Sequence, residues 1–219
     1  MTSDLATITG IDVPTELLIG GQWTGGRAGT LPVVDPATED AIAEVASAST
    51  EDALDAVTAA ADALPGWART PPRQRGECLR RAWELMIQRS DALAKLMVLE
   101  NGKALKDAKA EITYAAEFFR WYAEEAVRNE GSLVSAPSGA NRIMVQHQPV
   151  GVSVLVTPWN FPAAMATRKI GPALAAGCTV VLKPAKETPL SAFAVAEILG
   201  EAAEASGDKA AENSGDATD

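Results

Sequence analysis

The sequence predicts an α/β fold, in which a group of amphipathic helices leads into part of a Rossmann-type, doubly wound parallel sheet. Two apolar runs, "VSVLV" (152–156) and "TVVLK" (179–183), are each followed by a helix-patterned segment. Strand, helix, strand, helix at this spacing is a βαβ unit, with the two strands as parallel neighbours joined by a right-handed crossover. Apart from Ser153, "VSVLV" has no polar face, as expected of a strand covered on both sides. Upstream, apolar residues recur at the helical period over several long segments.

Taken in order, "LLIGGQWTGG" and "TLPVVDPATEDAIAEVASAS" read as short strands and turns, with Gly20-Gly21 and Gly25-Gly26 as turn signals. Ser49 and Asp52 form a capping pair for a first helix, carrying Leu54, Val57, Ala61 and Leu64 and stopped by Pro65-Gly66. A second helix follows Pro71-Pro72 with Leu79, Ala82, Trp83 and Met86 on one face. A third has Ser90 as N-cap and ends near Asn101-Gly102. The longest helix is expected from about Ala104 to Arg128, with Ile112, Ala116, Phe119, Ala123 and Ala126 as its apolar stripe. Its aromatic cluster, Phe118, Phe119, Trp121 and Tyr122, reads as core and interhelix packing. "GSLVSAPSGAN" reads as a loop and "RIMVQHQPVG" as a strand ending at Pro149. Beyond the first core strand, "AAMATRKIGPALAAG" is a helix closed by Gly177. A last helix has Thr188 as N-cap and Pro189 at its first position. The end, "SGDKAAENSGDATD", has no aromatic or branched aliphatic residue and reads as disordered.

The chain has 219 residues, 47% of them hydrophobic and 22% charged, an ordinary balance for a globular protein. A formal net charge of −10 argues against nucleic acid or an anionic membrane as partner, since phosphates demand a basic surface. No apolar run reaches the ~18 residues that span a bilayer. With no secretory signal visible at the N-terminus, the expected location is cytoplasmic. Cys78 and Cys178 make neither a disulfide framework nor, with the single His147, a metal site. His147, in a strand-like run, reads as a surface or interface residue rather than a catalytic base.

Ligands of open α/β sheets bind outside the carboxyl ends of the parallel strands. Two stiff, proline-bounded loops fall there side by side: Thr157 to Pro162 after the first strand, and Lys183 to Pro189 after the second. Asn160 presents two amide donors and no charge. That suits a developing oxyanion, and equally a cap on the following helix; spacing leaves both open. Lys183 and Lys186 either contact a ribose or phosphate or are solvated surface lysines.

"VTPWNFPAAMATRKIGPALAAGCTVVLKPAKETP" resembles the N-terminal half of the cofactor domain of the aldehyde dehydrogenase superfamily. "IGGQW", "VVDPATED", "ENGKALKDAKAEITYAAEFFRWYAEEA" and "QHQPVGV" fit the same pattern, so the resemblance covers roughly Leu18 to Ala203. It implies oxidation of a small aldehyde to its acid with NADP or NAD. A cysteine thiolate forms a thiohemiacetal, hydride passes to the nicotinamide, and a glutamate activates water. By the same resemblance Asn160 is the oxyanion-hole amide. Val156, Thr157, Pro158, Trp159 and Ala185 border the cofactor cleft, and Lys183 holds the adenosine ribose. Lys186, where many NAD-dependent relatives carry glutamate, implies NADP or both cofactors, with Glu187 beside it as a counterweight. The "AMxTRK" form is similar to succinate-semialdehyde dehydrogenases, in which Arg168 binds the distal carboxylate of the substrate, with Phe161 also at the substrate. A guanidinium fork matches a carboxylate bidentately.

The resemblance also implies strands of the oligomerisation region near 130–150 and a homo-oligomer, dimer or tetramer, for the full-length family. The expected organisation is an N-terminal extension (1–17), a partial cofactor-binding domain (18–203) and an acidic tail (204–219). The family's nucleophilic cysteine, base glutamate and glycine-rich loop have no counterpart here, and both cysteines read as buried structural residues. The expectation is therefore a truncated form, inactive alone. The alternative is a non-catalytic remnant or assembly module that binds full-length subunits.

Overall fold

The computed structural model describes residues 5–8 and 10–214. The chain opens with three antiparallel hairpins. The first pairs β1 (Leu5–Ile8) with β2 (Ile11–Pro14), the second β3 (Leu17–Ile19) with β4 (Gln22–Thr24), and the third β5 (Thr30–Val34) with β6 (Ala41–Ala46). Gly20 and Gly21 make the second turn with φ of 60° and 77°, the left-handed pair that a tight two-residue hairpin requires.

Four helices follow: α1 (Thr50–Arg69), α2 (Pro72–Gln88), α3 (Ser90–Asn101) and α4 (Leu105–Glu125), the last tightening into a 3-10 turn at Ala126–Arg128. Ser49 and Asp52 form the expected capping box on α1. Pro65, however, does not stop this helix, which continues to Arg69. The last turn is held by Trp67, whose indole N–H donates to the Leu174 carbonyl at 3.1 Å, so tertiary packing outweighs the lost backbone bond. Ser90 is the first helical residue of α3, not its side-chain cap. The α4 stripe Ile112, Ala116, Phe119, Ala123 and Ala126 is buried as expected. The cluster beside it divides: Phe119 is core, while Trp121 is exposed on the outer face.

Part of the expected loop forms a strand, β7 (Ser132–Ser135), which pairs with the expected strand β8 (Arg142–Val145), every residue of both strands exposed. Leu133-Val134 is a short β-prone pair that a composition rich in Ser, Gly and Pro conceals. Its partner strand ends at Val145, so His147 lies beyond it, exposed, with Nδ1 3.1 Å from the Asn129 side-chain oxygen.

The βαβ unit is present. Strand β9 (Val152–Val156) pairs in parallel with β10 (Thr179–Lys183), and α5 (Ala164–Ala175) connects them. Among the described residues the pair has no further strand. Helices α1 and α5 pack on it, and the Thr179 hydroxyl donates to the Ala60 carbonyl at 2.7 Å. Coverage of β9 is one-sided: Leu155 is buried, whereas Val154 and Val156 on the alternate side are exposed. The expectation of a strand covered on both faces is thus corrected for these residues. Helix α6 (Leu190–Ser214) also starts and ends otherwise than expected. Thr188 does not cap it through its hydroxyl, which is buried without a partner. Residues expected to begin the disordered tail continue the helix to Ser214, because "EAAEASGDKAAEN" is dominated by Ala, Glu and Lys, good helix formers. Residues 215–219 lie outside the described residues.

The core sits where α2, α4 and α6 meet, around Leu79, Met86, Ile112, Phe119 and Ile198. The first hairpins dock on its edge: Val13 is fully buried, and Trp23 packs edge-on against Phe193 of α6.

Candidate active site

The two loops expected at the ligand edge do lie together. Lys183 pairs with Val156 in the parallel register, and the Thr157 N–H donates to the Lys183 carbonyl at 3.2 Å, carrying the ladder one step past both strands. Thr157 and Pro162 are buried anchors, while Pro158, Trp159, Asn160 and Phe161 between them stand exposed. A rigid loop pinned at both ends displays its middle.

The pinning comes from a segment to which sequence reasoning gave no role at the site, Glu100 to Glu111, the junction of α3 and α4. The Asn101 side-chain amide donates to the Trp159 carbonyl at 2.9 Å, and the Lys103 ammonium donates to the Asn160 carbonyl at 3.0 Å. Lys103 also lies 4.2 Å from the centroid of the Phe161 ring and is ion-paired with Glu111. Glu111 in turn accepts from the N–H groups of Ala163 and Ala164 at 3.1 and 3.2 Å, capping the start of α5. Glu100 performs the same office for α6, accepting from Leu190 and Ser191 at 2.8 and 2.9 Å. Helix N-termini leave unpaired donors and a partial positive charge, so a buried carboxylate satisfies both. One segment thereby caps both helices that leave the two ligand-edge loops.

The cap role considered for Asn160 is filled by another residue. The helix cap is Glu111, the Asn160 backbone carbonyl is taken by Lys103, and its side-chain amide has no hydrogen-bond partner among the described residues. Both glutamates lie on apolar faces, Glu100 after Leu96 and Met97, and Glu111 between Ala108 and Ala115. A carboxylate inside an apolar stripe signals a buried, partnered charge, and that signal was legible in the sequence. Burial pushes the Glu100 carboxyl up to about 7, against the pull of its hydrogen bonds.

Arg168, on the exposed face of α5, lies 5.8 Å from the centroid of the Phe118 ring, which Tyr114 meets edge-on at 4.9 Å. Its one polar neighbour is the Met165 sulfur at 3.8 Å, and it has no carboxylate partner among the described residues. Lys183 is exposed at the strand end, Ala185 is buried beside it, and Lys186 stands 4.0 Å from Glu187 in an exposed pair. Lys169, not singled out by the sequence, donates to the Val156 carbonyl. The cysteines are remote in character: Cys178 is buried, and burial pushes the Cys78 thiol up to about 11.

The profile of the aldehyde dehydrogenase family matches residues 23–207. The chain belongs to this family. Its aldehyde dehydrogenase relatives include a succinate-semialdehyde dehydrogenase of Paenarthrobacter nicotinovorans, 55% identical over 74% of the chain. A glutarate-semialdehyde dehydrogenase of Pseudomonas putida is 49% identical over 82% of the chain. The NADP(+) succinate-semialdehyde dehydrogenase of Escherichia coli is 46% identical over 84%. The chain spans 36% of the first of these and 38% of the other two. Among solved structures, succinate-semialdehyde dehydrogenase from Burkholderia pseudomallei superposes with a TM-score of 0.84 at 43% identity. That match covers 87% of this chain and 40% of the other. The α/β architecture described above is thus that of the aldehyde dehydrogenase family.

Proposed function

We propose that the chain carries the oxyanion donor, the carboxylate-binding arginine and part of the cofactor edge of an NAD(P)-dependent semialdehyde dehydrogenase, with succinic semialdehyde as substrate. The observation that carries this reading is that, among the described residues, the Arg168 guanidinium has no carboxylate partner and the Asn160 amide, just before the start of the same helix, has no hydrogen-bond partner. An aldehyde at the Asn160 amide, extending along α5, brings a distal carboxylate to Arg168. The semialdehyde substrates named for the relatives agree with such a pair. Asn160 donates to the oxygen that becomes negative when a thiolate adds to the aldehyde carbon, and Phe161 lines the same edge. Neither cysteine of the 219 residues supplies that thiolate, since Cys78 is protonated at neutral pH and both are buried.

The residues present fit a dinucleotide: Lys183 stands exposed with no acidic partner among the described residues, next to the small Ala185. The nicotinamide, when bound, accepts the hydride. Val156, Thr157, Pro158 and Trp159 would border the cofactor cleft, Lys183 would hold the adenosine ribose, and Lys186 would favour the 2′-phosphate of NADP while Glu187 tempers that charge. A small-molecule site and a cytoplasmic place suit this reading.

The test is a full-length succinate-semialdehyde dehydrogenase whose matching segment is replaced by residues 18–203 of this chain. Arg168→Ala should raise KM for succinic semialdehyde by ~10–100-fold, the equivalent of a lost charge-assisted hydrogen bond, and leave an uncharged aldehyde unaffected. Equal effects on both substrates refute the carboxylate role. The 219-residue chain alone should give no turnover; any rate from protein of confirmed mass overturns that part.

A second reading has its own observation. The β7–β8 hairpin exposes Leu133 and Met144 at 68% and 69%, which suits a module that assembles with further subunits, as in a dimer or tetramer.

A further inference from the structure

The segment from Glu100 to Glu111 does more than cap helices. The Lys103 ammonium has three N–H donors, and three surroundings receive them: the Glu111 carboxylate, the Asn160 carbonyl at 3.0 Å and the face of Phe161 at 4.2 Å. Its side chain is only 14% exposed and that of Glu111 1%, so these contacts are weakly screened. Neutralising a buried carboxylate would explain the first contact alone. It does not explain why the same ammonium also holds the backbone of the asparagine and the ring of the next residue. Fixing the Asn160 carbonyl orients the peptide plane between Asn160 and Phe161, and with it the direction in which the Asn160 side chain leaves the backbone. Gly102, just before Lys103, turns the chain at φ 74°, and a Cβ there would stand 2.8 Å from the Pro36 ring.

We propose that Lys103 is a positioning residue for the Asn160 amide, acting through the Asn160 carbonyl and the Phe161 ring rather than only as counter-ion to Glu111. The inference rests on the reading of Asn160 as the oxyanion donor, but its test does not need turnover. In the uniformly 15N-labelled 219-residue chain, the side-chain amide pair of Asn160 is assigned by its loss in Asn160→Ser. Lys103→Met should shift and broaden that pair and speed exchange of the Ala164 amide by at least ~tenfold, as expected when a local clamp opens. Lys103→Arg should restore both. The deciding variant is Lys103→Met with Glu111→Gln, which removes the buried charge and keeps an acceptor for the α5 donors. If Lys103 serves only as counter-ion, this double variant returns the Asn160 pair to its native position, and the proposal is overturned. If Lys103 positions the loop, the pair stays displaced. Should Lys103→Met not fold, Phe161→Leu and Lys103→Gln report on the same pair; an unmoved pair in both overturns the proposal. A displaced pair, together with an Asn160→Ala hybrid enzyme that retains full kcat, would sink the oxyanion reading and leave the positioning intact.

Discussion

Burial of Cys78 in α2 holds its thiol near 11, so almost none of it is thiolate at pH 8. Iodoacetamide at pH 8 should therefore label Cys78 only after denaturant is added, as followed by intact mass; fast labelling of the folded chain would contradict the packing. Asn160 was legible as a polar group held between prolines, yet the sequence left its cap and donor roles equal. The structure removes the cap role, because a cap is a matter of distance and Glu111 occupies that place. Lys186 remains a charge argument: the hybrid enzyme should prefer NADP or accept both cofactors, and a preference of ~tenfold or more for NAD would sink it, since a cation beside the ribose complements a 2′-phosphate. Its exposed pairing with Glu187 at 4.0 Å weakens the effect without removing it.

At the scale of elements, the buried caps have consequences that titrate. The Glu100 carboxyl rises from 4.5 to about 7 on folding. A raised carboxyl pKa means the protonated form is favoured by the fold. Its contribution is therefore fully present below about 4.5 and is lost as pH climbs through about 7. The whole effect is on the order of 3 kcal/mol at most. Glu100→Gln should be less stable than the native chain at pH 5, since one acceptor is lost. That deficit should shrink or reverse by pH 8, as read from urea midpoints. A difference independent of pH would show that Glu100 does not titrate there. Gly102→Ala should cost roughly 1–3 kcal/mol, for its left-handed φ and the contact with Pro36. Helix positions were largely legible from apolar periodicity, as the α4 stripe shows. Helix ends were not: Pro65 was overridden by packing of Trp67, and α6 ran past its expected end on a segment rich in Ala, Glu and Lys.

Over the whole molecule, apolar surface is distributed unevenly. The β7–β8 hairpin is exposed on both strands, Val150 is 93% exposed, and Val154 and Val156 of β9 face outward. Open apolar strands are templates for association. The chain should self-associate at micromolar concentration in sedimentation velocity, and Leu133→Lys with Met144→Lys should shift it toward monomer while leaving the helical circular dichroism unchanged. A monodisperse monomer in the native chain would contradict this.

By itself the sequence determined the βαβ unit, the helix faces and the two proline-stiffened loops at one sheet edge, because periodicity and turn chemistry are local. It also put Asn160 and the two lysines in those loops, while Arg168, on the helix that follows, was singled out by the resemblance to succinate-semialdehyde dehydrogenases. Only the tertiary structure decided what holds those loops. The Glu100–Glu111 segment meets the loop at Trp159 and Asn160 some sixty residues further along, and a contact between distant segments has no local pattern to announce it.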